Sequence, residues 1–169
     1  MNIQIERILV AKDLSRQSAN VIRYALELGS KFDAQIHVLH VMPTVETSVL
    51  NMVSIAMGPD RLAKFSAETE KEMTEKTRQQ LDALIAEETE AGDFRLSHTP
   101  TVEVHHGDPA SMILTVADTI DADMIILGSH SKGILHYTFL GSVARKVLDK
   151  THRTVVIVPP AVGNSNSES

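Results

Sequence analysis

Five short strand-like segments alternate with segments of helical period along this chain. They occupy residues 7–11, 35–41, 101–106, 124–127 and 154–158, the third alternating rather than continuously apolar. Between the first two, Ala19, Ile22, Ala25, Leu26, Gly29 and Phe32 recur at three- and four-residue spacing and so line one helix face. A long helical pattern over residues 62–90 puts Leu62, Phe65, Thr69, Met73, Thr77, Leu81 and Leu84 on one stripe. Glu68, Glu70, Lys71, Glu72, Glu75, Lys76 and Arg78 form its solvated face. Asp108 before Pro109 reads as an N-cap with proline at the first helical position, opening a helix with Met112, Ile113, Val116, Ala117 and Ile120. Residues 142–149 read as a short fourth helix. Strand and helix in alternation require right-handed crossovers. The expected class is therefore α/β, a Rossmann-like open sheet of five mainly parallel strands with helices on both faces, for which the order 3-2-1-4-5 is adopted. Residues 43–61 read as a loop with a short helix, folded over a crevice, set against a partner or filling core.

Composition agrees with this class. Hydrophobic residues make up 43% of the chain but aromatics only 4%, so the core must be aliphatic, as in a helix-covered sheet. The 169 residues suit one domain, expected over residues 1–160, with a disordered tail at 161–169. A net charge of -6 without a long basic run argues against nucleic acid as a partner. The absence of cysteine excludes a disulfide framework, a thiol nucleophile and thiolate zinc ligation. No apolar run nears the roughly 20 residues that span a bilayer, and the start lacks the features of a signal peptide. The expectation is a soluble, cytoplasmic chain with no membrane insertion.

In a sheet of this order the strand sequence reverses direction between the first and fourth strands, and ligands bind beyond their C-terminal ends. Asp13 and Gly128 each lie just after one of those strands. The segment from Gly128 to Val143 leads into a helix, where backbone N–H groups converge and the helix N-terminus adds roughly half a positive charge. It is a phosphate-binding candidate without being a P-loop, because Ile134 and Leu135 stand where that motif needs Lys and Ser or Thr. A G-x-G-x-x-G fingerprint after the first strand is also missing. Asp13 reads as a ligand contact or a helix cap, and so does Ser142. His130 and Lys132 read as phosphate contacts or solvated loop residues. His37 and His40 face opposite sides of a strand, as do His105 and His106, which opposes paired metal ligation. No catalytic residue or metal ligand is assigned. Without a nucleophile elbow or a positioned general base, any hydrolysis of a bound phosphate should be slow.

Gly128, Ser131, the nine-residue spacer from Lys132 to Leu140, and Gly141-Ser142 together resemble the pattern G-x2-G-x9-G-(S/T). That pattern marks the nucleotide-binding subgroup of the universal stress protein family. Residues 8–15, His40-Val41 and Gly107-Asp108-Pro109 add matches, and the resemblance spans residues 5–159. It implies a homodimeric domain that holds ATP, with Mg2+ carried by the nucleotide. By position, Ala11, Lys12, Asp13 and Val41 would surround adenine and ribose. Gly128, Ser129, His130 and Ser131 would follow ribose and phosphates, and Gly141, Ser142 and Val143 would close the triphosphate site. Serine at position 131 adds a Cβ where the pattern has glycine, yet keeps the N–H and brings a hydroxyl, so binding should weaken rather than vanish. The resemblance also implies pairing through the last strand, Thr154 to Val158, an edge that invites association. The function expected is that of a nucleotide-responsive regulator in stress response. The alternative is a dimeric interaction or scaffold protein of the same fold, with an unidentified protein partner and no nucleotide.

Overall fold

A computed structural model describes residues 4–13, 19–129 and 140–160. The elements are β1 (Arg7–Ala11), α1 (Ala19–Phe32), β2 (Gln35–Met42), α2 (Thr47–Met57), α3 (Pro59–Ala91), β3 (Thr101–His106), α4 (Pro109–Thr119), β4 (Met124–Gly128), α5 (Ser142–Lys150) and β5 (Thr154–Val158). The strands form one sheet in the order β3-β2-β1-β4-β5. Every pairing is parallel. Fold class and strand order are those expected.

The period of two along a strand divides each apolar run between two layers. In β1, Ile8 and Val10 pack with Val21, Ile22, Ala25 and Leu26 of α1 and with Leu81 and Ile85 of α3. Leu9, between them, packs with Ile113, Val116 and Ala117 of α4 and Ala144 and Val147 of α5. All three β1 residues are fully buried. A strand covered on both faces needs apolar residues at every position, which is why the run is continuous rather than alternating. In α1, a Cβ at Gly29 would lie 2.5 Å from Ile36 Cδ1, so glycine permits the close approach of α1 to β2. From β1 the chain passes to α1 on one face, and from β4 to α5 on the other. The gap between these departures is the crevice of a doubly wound sheet.

After β2, residues 47–57 form the short helix expected there, α2; it has no buried residue and so fills no core. Gly58, at φ 85, ends α2 and begins α3, and Pro59 takes the first helical position. That positive φ suits glycine alone among common residues. The long helix was expected from about Leu62 with one continuous inward stripe. It starts at Pro59 and buries only Thr77, Leu81, Ile85 and Glu88. Phe65 and Met73 remain 58% and 51% exposed. The reason is length: 33 residues of helix run about 50 Å, whereas the six residues of β3 span about 20 Å. The stripe outruns the sheet beneath it. Near its other end, Glu88 is buried but bonded to Arg23, with Oε2 2.9 Å from Nε and 2.8 Å from the terminal nitrogen. The expected tail at 161–169 lies outside the described residues.

Candidate functional site

One wall of the crevice is the turn leaving β1. The Lys12 N–H donates to the Leu39 carbonyl at 3.0 Å. Its own carbonyl lies 2.7 Å from His40 Nδ1. A carbonyl can only accept, so His40 carries its proton on Nδ1 and donates. Lys12 is thus clamped to β2 from both sides of its peptide. Its side chain is 9% exposed. Burial pushes the ammonium pKa below the ordinary 10.5, and the neighbouring Asp13 carboxylate opposes that shift.

The facing wall is built from the end of β4 and the start of α5. Gly128, expected just beyond the strand, is its last residue and pairs in register with Val158. The Ser129 N–H donates to the Val158 carbonyl at 3.0 Å, and the Ser129 carbonyl accepts from the Gly141 N–H at 2.8 Å. Ser129 and Gly141 are therefore joined, which sets the N-terminus of α5 beside the end of β4. Gly141 occupies the cap position with φ -59 and ψ 153 and makes no side-chain cap. Ser142 is the first helical residue, so the capping role considered for it falls to Gly141. The first N–H groups of any helix lack partners within it, and here that first turn contributes Val143 and Ala144 to the crevice. Positive φ among the described glycines belongs to Gly58 and Gly107. Gly128 and Gly141 contribute space, not an unusual backbone.

These walls enclose a cavity of about 190 Å³. Of the residues named from sequence, Ala11, Lys12, Asp13, Val41, Gly128, Ser129, Gly141 and Val143 all line it. Ser142 is exposed beside it and is not part of the lining. His130 and Ser131, like Lys132, lie outside the described residues. Sequence reasoning missed the apolar floor, made by Val21, Leu39, Ile113 and Leu127, and the rim formed by Pro109, Pro159 and Pro160. A signal existed for Pro109. Asp108 caps α4 as expected, its Oδ2 accepting from the Ser111 N–H at 3.0 Å and hydroxyl at 2.8 Å. The Ser111 bonds hold the Asp108 carboxyl below the usual carboxylate range. A capped helix start just after β3 falls at the same end of the parallel sheet as the crevice.

The histidines have other partners. His37 meets the Thr101 hydroxyl at 2.9 Å, and burial lowers its pKa below 6.5. His105 meets Glu103 at 2.8 Å and His106 meets the Thr74 hydroxyl at 3.1 Å. Among the described residues there is no group of three or more His, Cys, Asp or Glu arranged to hold a metal. Nor, among them, is any helix long and apolar enough to cross a membrane.

A parallel sheet in this order, with its cleft at the reversal point and a helix N-terminus on the rim, defines a Rossmann-like α/β domain. The chain belongs to the Universal stress protein family, whose sequence pattern matches residues 4–159. It is 25% identical to Universal stress protein MJ0577 of Methanocaldococcus jannaschii, over 94% of this chain and 97% of that one. The solved structure of hypothetical protein MJ0577 superposes with a TM-score of 0.68 at 22% identity, covering 95% of this chain and 99% of its own. A universal stress protein from Archaeoglobus fulgidus solved in complex with dAMP has a TM-score of 0.51 at 20% identity, covering 92% and 98%.

Proposed function

We propose that the chain binds ATP in the crevice between β1 and β4 and acts as a nucleotide-responsive regulator in stress response. One observation carries this reading: an apolar floor, a buried lysine and a helix N-terminus line a single cavity. The apolar walls from Val41, Leu39 and Ile113 suit a purine base. The resemblance sets Lys12 beside adenine and ribose; in this reading its ammonium turns instead to the phosphate oxygens, with the first-turn N–H groups of α5, since both favour negative charge. Mg2+ would ride on those oxygens, as hard cations prefer. Ala11, Lys12, Asp13, Val41, Gly128, Ser129, Gly141 and Val143 are the contacts proposed within the described residues, with His130, Ser131 and Ser142 completing the phosphate end. The dAMP complex of the Archaeoglobus relative supports an adenine nucleotide as the ligand class. Pairing of two chains through β5 is part of the same proposal, supported by that strand's position at the sheet edge.

Isothermal titration with ATP and magnesium tests the reading, run on the wild type and on Gly141→Arg. The backbone at Gly141 is open to any side chain, so arginine should fill the cavity without straining the turn. Binding heat is expected for the wild type and its loss for the variant, with thermal melting of the two unchanged. A wild type silent at millimolar nucleotide overturns the proposal.

A further inference from the structure

The helical pair α2 and α3 carries an apolar surface that the crevice does not explain. From Thr47 to Met57 there is no charged residue and no buried one. Val49, Met52, Ile55 and Met57 are 49%, 74%, 88% and 44% exposed, and Val45 and Phe65 add to them at 59% and 58%. Six large side chains exposed to this degree approach the order of 800 Å² per partner that a standard interface buries. They exceed the scattered exposure of an ordinary monomer surface.

The charges of α3 indicate the occupant. Counting outward from Glu68 along the helix face it centres, residues at equal distance carry opposite signs, Lys64 with Glu72 and Arg61 with Glu75. All of them are exposed. A two-fold axis at Glu68 would bring each residue of one helix opposite its counterpart in an antiparallel copy, so every one of these pairs becomes attractive and is made twice. A uniformly acidic or basic partner would meet half of these charges with the wrong sign. The two Glu68 carboxylates meet at the axis, a single solvated repulsion against those pairs. We propose that the α2–α3 hairpin is the seat of a second copy of this chain. α3 lies antiparallel to its counterpart across Glu68, and the uncharged faces of α2 pack alongside. α3 packs against β3, at the sheet edge opposite β5, so this face is distinct from the β5 edge and needs no nucleotide.

Sedimentation velocity on the full chain tests this. Arg61→Glu places like charges opposite Glu75 and should weaken self-association by about tenfold. Arg61→Glu combined with Glu75→Arg should restore it. Positions 61 and 75 lie about 21 Å apart along one helix, so the rescue can arise only between chains. Met52→Asp with Ile55→Asp, in the apolar seat, should weaken it as well, with the circular dichroism of the wild type retained. The chain has no cysteine. Glu68→Cys should therefore give a disulfide-linked dimer on mild oxidation, while the exposed Asp82→Cys, in the seated half of α3, should not. Pairing through β5 leaves the charge rescue and the cysteine contrast unmoved. A wild type that stays monomeric, a charge swap without rescue, equal cross-linking at 68 and 82, or flotation of the monomer with phosphatidylcholine vesicles overturns the proposal.

Discussion

Lys12 concentrates the electrostatics of the crevice in one side chain. Its pKa is lowered from 10.5 by burial, so the folded chain releases this proton at a lower pH than the unfolded chain does. Between the two values the unfolded state binds more protons, and stability rises with pH across that window. Below the lowered value, the cost of burying the charge is felt in full. A phosphate beside the ammonium favours its charged form. Nucleotide affinity is therefore expected to fall as pH rises through the lowered pKa, before an ordinary lysine titrates. Lys12→Met should abolish that alkaline limb in titration calorimetry and weaken binding at neutral pH by about 1.5–3 kcal/mol, the range for a hydrogen bond to a charged group. The ligand-free variant should be no less stable to urea than the wild type. If the limb survives in the variant, Lys12 is not its source. The position of Lys12 was legible, because a residue just after the first strand of a doubly wound sheet must reach the crevice. Its burial and its clamp were not. The His40 bond joins residues 28 apart, and only the register of β1 on β2 brings them together. Ser142 was ambiguous for a related reason. Glycine then serine before a helix allows either residue to cap it, and the Gly141 N–H bond to Ser129 decides the matter from across the loop.

At the scale of elements, α3 separates what a periodic pattern tells from what it leaves out. Leu81 and Met73 are members of one stripe, yet Leu81 is 1% exposed and Met73 51%. Leu81→Ala should cost about 2–5 kcal/mol in urea denaturation, since it removes packing from a site held between sheet and helix. Met73→Ala should stay within about 0.5 kcal/mol when measured at a protein concentration that keeps the chain dispersed. Comparable costs for the two would mean that the N-terminal half of α3 is seated after all. Spacing identifies the face of a helix that is apolar, but the extent of what lies beneath depends on the length of strands far along the chain. β3 is reached only after α3 has ended, so the overhang could not be read locally. The strands were legible to within a residue or two because each is an apolar or alternating segment with Pro, Gly or Asp at or near one end. α2 was the opposite case. Its one polar face, Thr47, Ser48, Asn51 and Ser54, is uncharged, and in the structure none of its residues is fully buried.

For the whole molecule, the strand order 3-2-1-4-5 separates two surfaces that the sequence presents only as apolar stretches. β5 lies at one edge with Val155, Val156 and Ile157 partly buried, and α3 packs at the other edge beside β3. Each surface is proposed to pair with its own copy about a separate two-fold axis. Two such axes on one chain give a closed tetramer if they cross at right angles, and an open chain otherwise. Light scattering on the wild type should therefore report a mass above the dimer as concentration rises. Val155→Lys sets a charge in the edge strand, a device that blocks strand addition, and should leave the dimer held through α3. Arg61→Glu with Met52→Asp should leave the dimer held through β5. Surfaces on opposite edges share no partners, so their effects should add, and the chain with all three substitutions should be monomeric and folded by circular dichroism. A monomer from Val155→Lys alone would assign all association to β5. A dimer that survives all three substitutions would require a third surface, and the pairing of the two edges would then be wrong as a description of how this chain assembles.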